Sequence, residues 1–354
     1  MKKFIYKKIL RKDILLMDKN YSNLSFDDVS YEVANLKQIN LYLTKRIVLN
    51  FLKFFLKYSI RDIYIKSLVE AYSPKIVISH NMEGYAYRIK YLCNKIYCIT
   101  YQHSFFYENE KDFYSKNFKD KACDLFISYH PDDTKFLSKL IKSRFIALGS
   151  IKNNEIVLEK NINRKIPLLL ISEFRRNPSK LHYKKQIELC LYVKEFAKRK
   201  NIIPHVALSA NRSDKDRYNL LKEELKFFKK YLDDFKWNKE DSFVTANKAN
   251  LNICLTSNMG IELLSRGYKT IFFNLIGDSD HTQVNPYLIK KKPEYFFIKL
   301  SKEEIIAKLN YFFDLKSHDW SKESNYLKNS IPFDERNIYF KKEIKKILKN
   351  IKNE

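Results

Sequence analysis

The stretch LTSNMGIELLSRGYKTIFFN, Leu255–Asn274, holds two of the five glycines in a chain of 354 residues. NICLT (Asn252–Thr256) runs into it as an apolar segment of buried-strand type, and KTIFFN (Lys269–Asn274) closes it as another. Between them, GIELLSRG leaves room for two turns of helix ended by Gly267 at the C′ position. Strand, polar turn, short helix and strand make one α/β unit. The rest of the chain repeats that alternation.

Toward the C-terminus, SKEEIIAKLNYFFD from Ser301 and FKKEIKKILKNIKN near the end are helical, the second rich in lysine. Toward the N-terminus, IPLLLIS (Ile166–Ser172) and IPHVALS (Ile203–Ser209) are strands, separated by a periodic helix over His182–Asn201. A charged helix follows near Asp214–Leu232. Earlier, DILLMD (Asp13–Asp18), KIVISH (Lys75–His80), IYCITYQH (Ile96–His103), DLFISYH (Asp124–His130) and RFIALGS (Arg144–Ser150) are strands of a first sheet. One long helical region is expected from about Phe26 to Tyr72. Strands alternating with helices indicate parallel α/β sheets. The expected organisation is an N-terminal Rossmann-like domain over 1–155, a second over 156–330 and a basic helix over 331–354.

Composition bounds the function less tightly. Hydrophobic residues make up 45% of the chain, enough for real cores and against disorder. The 67 Lys and Arg against 41 Asp and Glu give a formal charge of +26, which attracts polyanions. Much of that excess is lysine spread through Ile-, Asn- and Tyr-rich sequence, as an AT-rich genome also produces. The five cysteines show no metal spacing, and neither Asp132-Asp133 nor Asp233-Asp234 makes a metal site: the first pair suits a helix N-terminus, the second a solvated helix face. No P-loop, G-x-G-x-x-G or G-x-S-x-G element occurs. The most apolar long stretch, Ile47–Ile60, has fourteen residues and two lysines, too few and too charged to span a bilayer. A cytoplasmic protein is expected.

Ligands of open parallel sheets bind beyond the carboxyl ends of the strands. After NICLT come Thr256, Ser257, Asn258 and Gly260, at the start of a helix whose unpaired N–H groups can receive a phosphate. Gly260 would let the backbone approach that phosphate. Glu262, expected in the first turn, would cap the helix or accept bonds from ribose hydroxyls.

These residues carry a resemblance. LNICLTSNMGIELLSRGYKTIFFN resembles the donor-binding segment of GT-B glycosyltransferases of bacterial surface-polysaccharide biosynthesis, capsule and lipopolysaccharide, with a Ser/Thr-x-x-Gly-x-Glu turn. PKIVISHNMEGYAYRIKYLCNKIYCITYQHSFFYE resembles their acceptor half, and CDLFISYHPDDTKFLSKL with RFIALGSIKNN their closing strands and hinge. Ser104 follows His103 where many relatives carry Gly. His130-Pro131 is similar to the His-Pro of CMP-sugar enzymes but falls in the first half, so that role is not carried over.

The resemblance implies two Rossmann-like domains facing across a cleft, with nucleotide held by the second. Arg175 and Arg176 would then clamp phosphate from the end of IPLLLIS, and Ser209 and Asn211 would line the nucleotide pocket. In the first half, Glu83 and His103 follow two strands and are the candidate general base and the candidate phosphate or acceptor contact. No cofactor or metal is expected beyond the nucleotide-sugar co-substrate, because helix dipoles and cations can stabilise a leaving phosphate. The donor reads as CMP-Kdo-like or a UDP-sugar, and the acceptor as a surface glycan on a lipid carrier. Lysine-flanked helices such as KRIVLNFLKFFLKYSIRD would touch anionic membrane from the cytoplasmic face or pack on the first sheet. The C-terminal helix would share that role or cross back to the first domain. Transfer of a polyol phosphate from a CDP-alcohol is the chemical alternative. A nucleic-acid-binding protein is the rival class; the aromatics sit in core-like apolar runs and argue against that partner.

Overall fold

The computed structural model describes residues 3–6, 9–17, 24–34, 40–82, 84–102, 104, 111–157, 164–209, 215–273, 295, 300–325 and 330–353. They belong to two units. The first takes Met1–Phe105, Asp112–Val157 and Pro332–Glu354, the second Phe106–Lys111 and Leu158–Ile331.

In the first unit the strands are β1 (Lys3–Tyr6), β2 (Ile14–Leu16), β3 (Tyr31–Val33), β4 (Asn40–Leu43), β5 (Ile76–His80), β6 (Tyr97–Tyr101), β7 (Lys121–Ser128) and β8 (Ile141–Ala147). Six form a parallel sheet in the order β3-β2-β5-β6-β7-β8, while β1 pairs with β4 apart from it. All five residues of β5 are buried, as a strand covered on both faces requires. Helices α1 (Lys45–Phe54), α2 (Ile60–Tyr72), α3 (Tyr85–Leu92), α4 (Lys111–Phe118), α5 (Pro131–Leu137) and α6 (Ile151–Asn154) complete its first part.

The long helical region expected over 26–72 is helical only in its later part. Tyr31–Val33 and Asn40–Leu43 are strands, with Tyr31/Val33 and Leu41/Leu43 alternating at the strand period rather than the helical one. What remains is two helices with separate starts. Thr44 accepts from Ile47 N to open α1, and Ser59 accepts from Asp62 N to open α2.

The second unit is a smaller parallel sheet of β9 (Ile166–Ile171), β10 (His205–Ala207), β11 (Ala249–Cys254) and β12 (Thr270–Phe272) in the order β10-β9-β11-β12. Its helices are α7 (Lys180–Lys200), α8 (Lys215–Tyr231), α9 (Ser242–Asn247), α10 (Asn258–Ser265), α11 (Lys302–Asp314) and α12 (Ser317–Ser324). Asp233 does not lie on a helix face: its N–H bonds to the Phe228 carbonyl at 3.2 Å and its φ is +73°, so it closes α8.

The last helix, α13 (Ile338–Asn353), packs in the first unit. Phe340, Ile344, Ile347 and Leu348 recur at helical spacing and join Ile14, Leu16, Ile76, Ile78, Ile99, Leu125 and Ile127 in one core. Burial of four such side chains contributes about 1.5–3 kcal/mol each. Asn337 fixes the helix entry, donating to the Ile151 carbonyl at 2.7 Å and to Glu155 Oε1 at 2.9 Å.

Candidate functional site

The strand order of the second unit marks a place for a ligand. The chain leaves β9 for β10 on one side, then returns across β9 to β11 and continues to β12 on the other. The connections after β9 and β11 therefore diverge, and the crevice between them at the carboxyl ends is a topological switch point.

A carboxylate from one side holds the other. Glu173, two residues beyond β9, accepts from Leu255 N at 2.9 Å and Thr256 N at 2.7 Å, and from the Thr256 hydroxyl at 2.8 Å. Its own carbonyl lies 3.1 Å from His182 Nε2. Behind it, burial pushes the Lys185 ammonium down to about 8, against the pull of Glu173 and then Glu188. A second carboxylate ties β9 to β10. Glu224 of α8 is fully buried and accepts from the Ser172 hydroxyl, from Ser209 N at 2.9 Å and from the Ser209 hydroxyl at 3.0 Å. Neither carboxylate is among the residues expected from sequence. An acid two residues beyond a strand is the one local signal at Glu173, and it does not disclose the partners.

The helix opening at this crevice is α10. Ser257 is its N-cap, yet the Ser257 side chain makes no capping bond, and no acid occupies the first turn. The partial positive charge of the helix start is thus not offset by its own residues. Thr256, Ser257 and Asn258 stand together at this edge, as expected. Ser209 lies beyond β10, on the other side of β9. Arg175 and Arg176 are exposed beyond β9, and Arg176 pairs with Glu223 at 2.9 Å.

Two residues of the motif serve packing instead. Gly260 is buried against the sheet: a Cβ there would lie 2.5 Å from Cys254 Sγ and 2.9 Å from a Phe272 ring carbon. Its missing side chain admits the helix to the strands, not a phosphate to the backbone. Glu262 falls in the second turn and faces inward. Only 2% exposed, it sits 3.7 Å from Arg266, whose guanidinium lies 5.0 Å from the Phe243 ring centroid. A carboxylate so enclosed does not reach outward to a ribose. Gly267 is the C′ residue, with φ +87°; its N–H bonds to the Leu264 carbonyl and Tyr268 N–H to that of Leu263, the Schellman pattern.

In the first unit, the expected Glu83 and His103 lie outside the described residues, as does Asn211 in the second. Their neighbours are ordered by buried polar groups. Gln102, just beyond β6, donates to Asp133 at 2.8 Å and to the Ser104 carbonyl at 2.7 Å, and accepts from Tyr129 N at 3.0 Å. Asp132 and Asp133 stand in the first turn of α5, with His130 as N-cap and Pro131 at its start. That structural use accounts for His130-Pro131.

Burial raises the Asp133 carboxyl from the ordinary 3.8 to about 7; the Gln102 bond opposes this and Asp132 adds to it. Between those values the folded state holds the extra proton, so this group's contribution to stability falls as pH rises from about 4 to about 7. Asp133→Asn keeps an acceptor for Gln102 and removes the titration. It is expected to raise the melting temperature relative to wild type at pH 8, and by clearly less at pH 5, where only part of the loss has accrued. An equal difference at both pH values would show that the carboxyl does not titrate in this way.

The comparisons with known proteins agree with this architecture. Residues 101–348 match the family described as "putative O-antigen biosynthesis protein". The chain belongs to this family. No curated sequence matches the chain. Among solved structures it is similar to a "putative UDP-N-acetylglucosamine 2-epimerase" from Listeria monocytogenes, at TM-score 0.52 and 13% identity over 94% of each chain. A UDP-GlcNAc 2-epimerase from Neisseria meningitidis, solved with UDP-GlcNAc, gives 0.50 and 12% over 98% of this chain and 100% of its own. The S. aureus MnaA–UDP structure gives 0.51 and 10% over 97% of each. At such identities the likeness is one of fold, and the fold is GT-B. This is a surface-polysaccharide protein on a glycosyltransferase-like fold.

Proposed function

We propose that the protein is a glycosyltransferase that binds a nucleotide-activated sugar at the carboxyl ends of β9 and β11. It would pass the sugar to a cell-surface glycan acceptor. The observation that carries this reading is the switch-point crevice, where Glu173 fixes Leu255 and Thr256 beside the uncapped start of α10. Backbone N–H groups of that first turn would receive the diphosphate, with the Ser257 hydroxyl and the Arg175 guanidinium as further donors. Leaving-group charge would be stabilised there without a metal. Glu83 as base and His103 as phosphate or acceptor contact are the residues proposed from the first unit. Of the two donors expected from sequence, a UDP-sugar is favoured over CMP-Kdo, because solved structures of this fold hold UDP-GlcNAc and UDP.

A thermal-shift panel of UDP, CDP, CMP and GDP tests the site. UDP is expected to raise the melting temperature, since ligand at about 100 times Kd adds roughly 2.7 kcal/mol. Arg175→Ala should weaken UDP by about tenfold, the scale of one charge-assisted contact. If no nucleotide stabilises the wild type, the donor site is wrong. Two of the similar structures, both described as UDP-GlcNAc 2-epimerases, favour a second reading, epimerisation of a sugar nucleotide. Conversion of UDP-GlcNAc to its C2 epimer without acceptor, followed by NMR, would select it over transfer.

A further inference from the structure

Helix α1 is apolar on both sides. Its inner face, Ile47, Asn50, Phe51 and Phe54, turns toward the unit, with Asn50 bonded to Ser67 of α2 at 3.0 Å. Its outer face carries Val48, Leu49 and Leu52, all exposed, and continues into Phe55 and Leu56 at the helix end. Leu52 is 72% exposed, Leu56 88%, and Ile60, at the start of α2, 74%. Isolated exposed apolar residues are ordinary, but six large ones within thirteen positions form a contiguous patch that needs an occupant.

Charge identifies the occupant. Lys45, Arg46, Lys53, Lys57 and Arg61 flank these side chains along the chain, and no Asp or Glu occurs from 45 to 61, although Glu70 of α2 pairs with Arg46 and Asp62 follows Arg61. An aliphatic ridge bordered by an excess of cations fits the boundary between acyl chains and anionic headgroups, where such helices lie about 5–10 Å deep. A second copy would bring the same cations against these and carries the same net +26. Nucleic acid would call for exposed stacking rings rather than leucines. At ten residues α1 is about 15 Å long and cannot cross a bilayer, and no helix among the described residues is long and apolar enough to do so.

We propose that the outer face of α1, with Phe55, Leu56 and Ile60, docks the protein on an anionic phospholipid surface. Arg61 follows directly and lines a cavity of about 600 Å³ with Asn81, Gly84, Tyr91, Phe113 and Lys121. The docking face thus adjoins the loop after β5. That the cavity receives a lipid-linked acceptor rests on the transferase reading; the membrane surface does not.

Co-sedimentation of the full chain with vesicles tests the surface. Vesicles of equal parts phosphatidylglycerol and phosphatidylethanolamine are expected to bind it, and pure phosphatidylcholine far less. Leu52→Glu/Leu56→Glu and Lys53→Glu/Lys57→Glu should each lower partitioning by about tenfold or more, the first through lost apolar burial and the second through lost charge attraction. All four positions are exposed, so the variants should melt with the wild type and keep any nucleotide stabilisation. Unchanged vesicle binding by the leucine pair would overturn the proposal, leaving only general attraction by net charge. So would no vesicle binding, or a wild-type dimer in light scattering that the leucine pair dissolves.

Discussion

Glu173→Ala is expected to lower the melting temperature of the second unit by roughly 5–10 °C and to abolish nucleotide stabilisation. The carboxylate accepts three hydrogen bonds from two consecutive residues beyond β11, and Leu255 is buried. Charge-assisted bonds are about twice as strong as neutral ones, and each donor left buried without an acceptor costs about 1–3 kcal/mol. Glu173 is only partly buried, so water would satisfy one of the three, leaving a loss on the order of 2–4 kcal/mol. For a unit of this size each kcal/mol moves the transition by about 2–4 °C. Glu173→Gln keeps an oxygen for the two N–H groups, and the Thr256 hydroxyl can turn to accept from the new amide. That variant should stay within about 1 kcal/mol of wild type, the net worth of one ordinary hydrogen bond. The pair separates geometry from charge: an Ala variant as stable as the Gln variant would mean that the tie between β9 and β11 does not hold the crevice. Calorimetry on the three proteins, with and without UDP, measures both quantities.

The same contact shows what the sequence could disclose. Strands such as Ile76–His80, Ile166–Ile171 and Ala249–Cys254 were legible because runs of β-branched and aliphatic residues end at polar turns. The long periodicity of α7 was legible too. The region before Tyr72 was not, because its three- and four-residue strands are decided by pairing with β2 and β1 rather than by local propensity. Likewise, Glu173 lies 82 and 83 positions from the N–H groups it holds, so no spacing announces it. Thr256, Ser257 and Asn258 could be placed at a strand end from their own neighbours alone. The inward turn of Glu262 could not, since its partner Arg266 and the ring of Phe243 beneath that guanidinium are set by how α9 and α10 pack.

Gly260→Val is expected to cost more than any surface change in the second unit, on the order of 3 kcal/mol, and Gly260→Ala about 1–2 kcal/mol. Two opposing terms meet at this position. Its φ is not positive, so alanine is allowed by the backbone and would gain about 1 kcal/mol in helix propensity. Against that, the added Cβ would fall 2.5 Å from Cys254 Sγ and 2.9 and 3.2 Å from two Phe272 ring carbons. Both neighbours are fully buried, one in β11 and one in β12, so neither can swing into solvent and α10 must lift from the sheet. Overpacking of this kind costs about 1–3 kcal/mol for small additions and wins over propensity. Gly267 offers the contrast: with φ +87° and open space around it, alanine there is opposed by backbone conformation alone. Cys254→Ala removes the closest contact, so the double variant Gly260→Ala/Cys254→Ala should recover part of the loss, a coupling that urea denaturation of the four proteins would measure. Strict additivity, or a Gly260→Ala variant more stable than wild type, would show that the glycine does not set the distance between α10 and the sheet. If the distance is set as described, lifting α10 also displaces Ser257 and the first-turn N–H groups. Gly260→Val should then lose nucleotide stabilisation even where the unit remains folded.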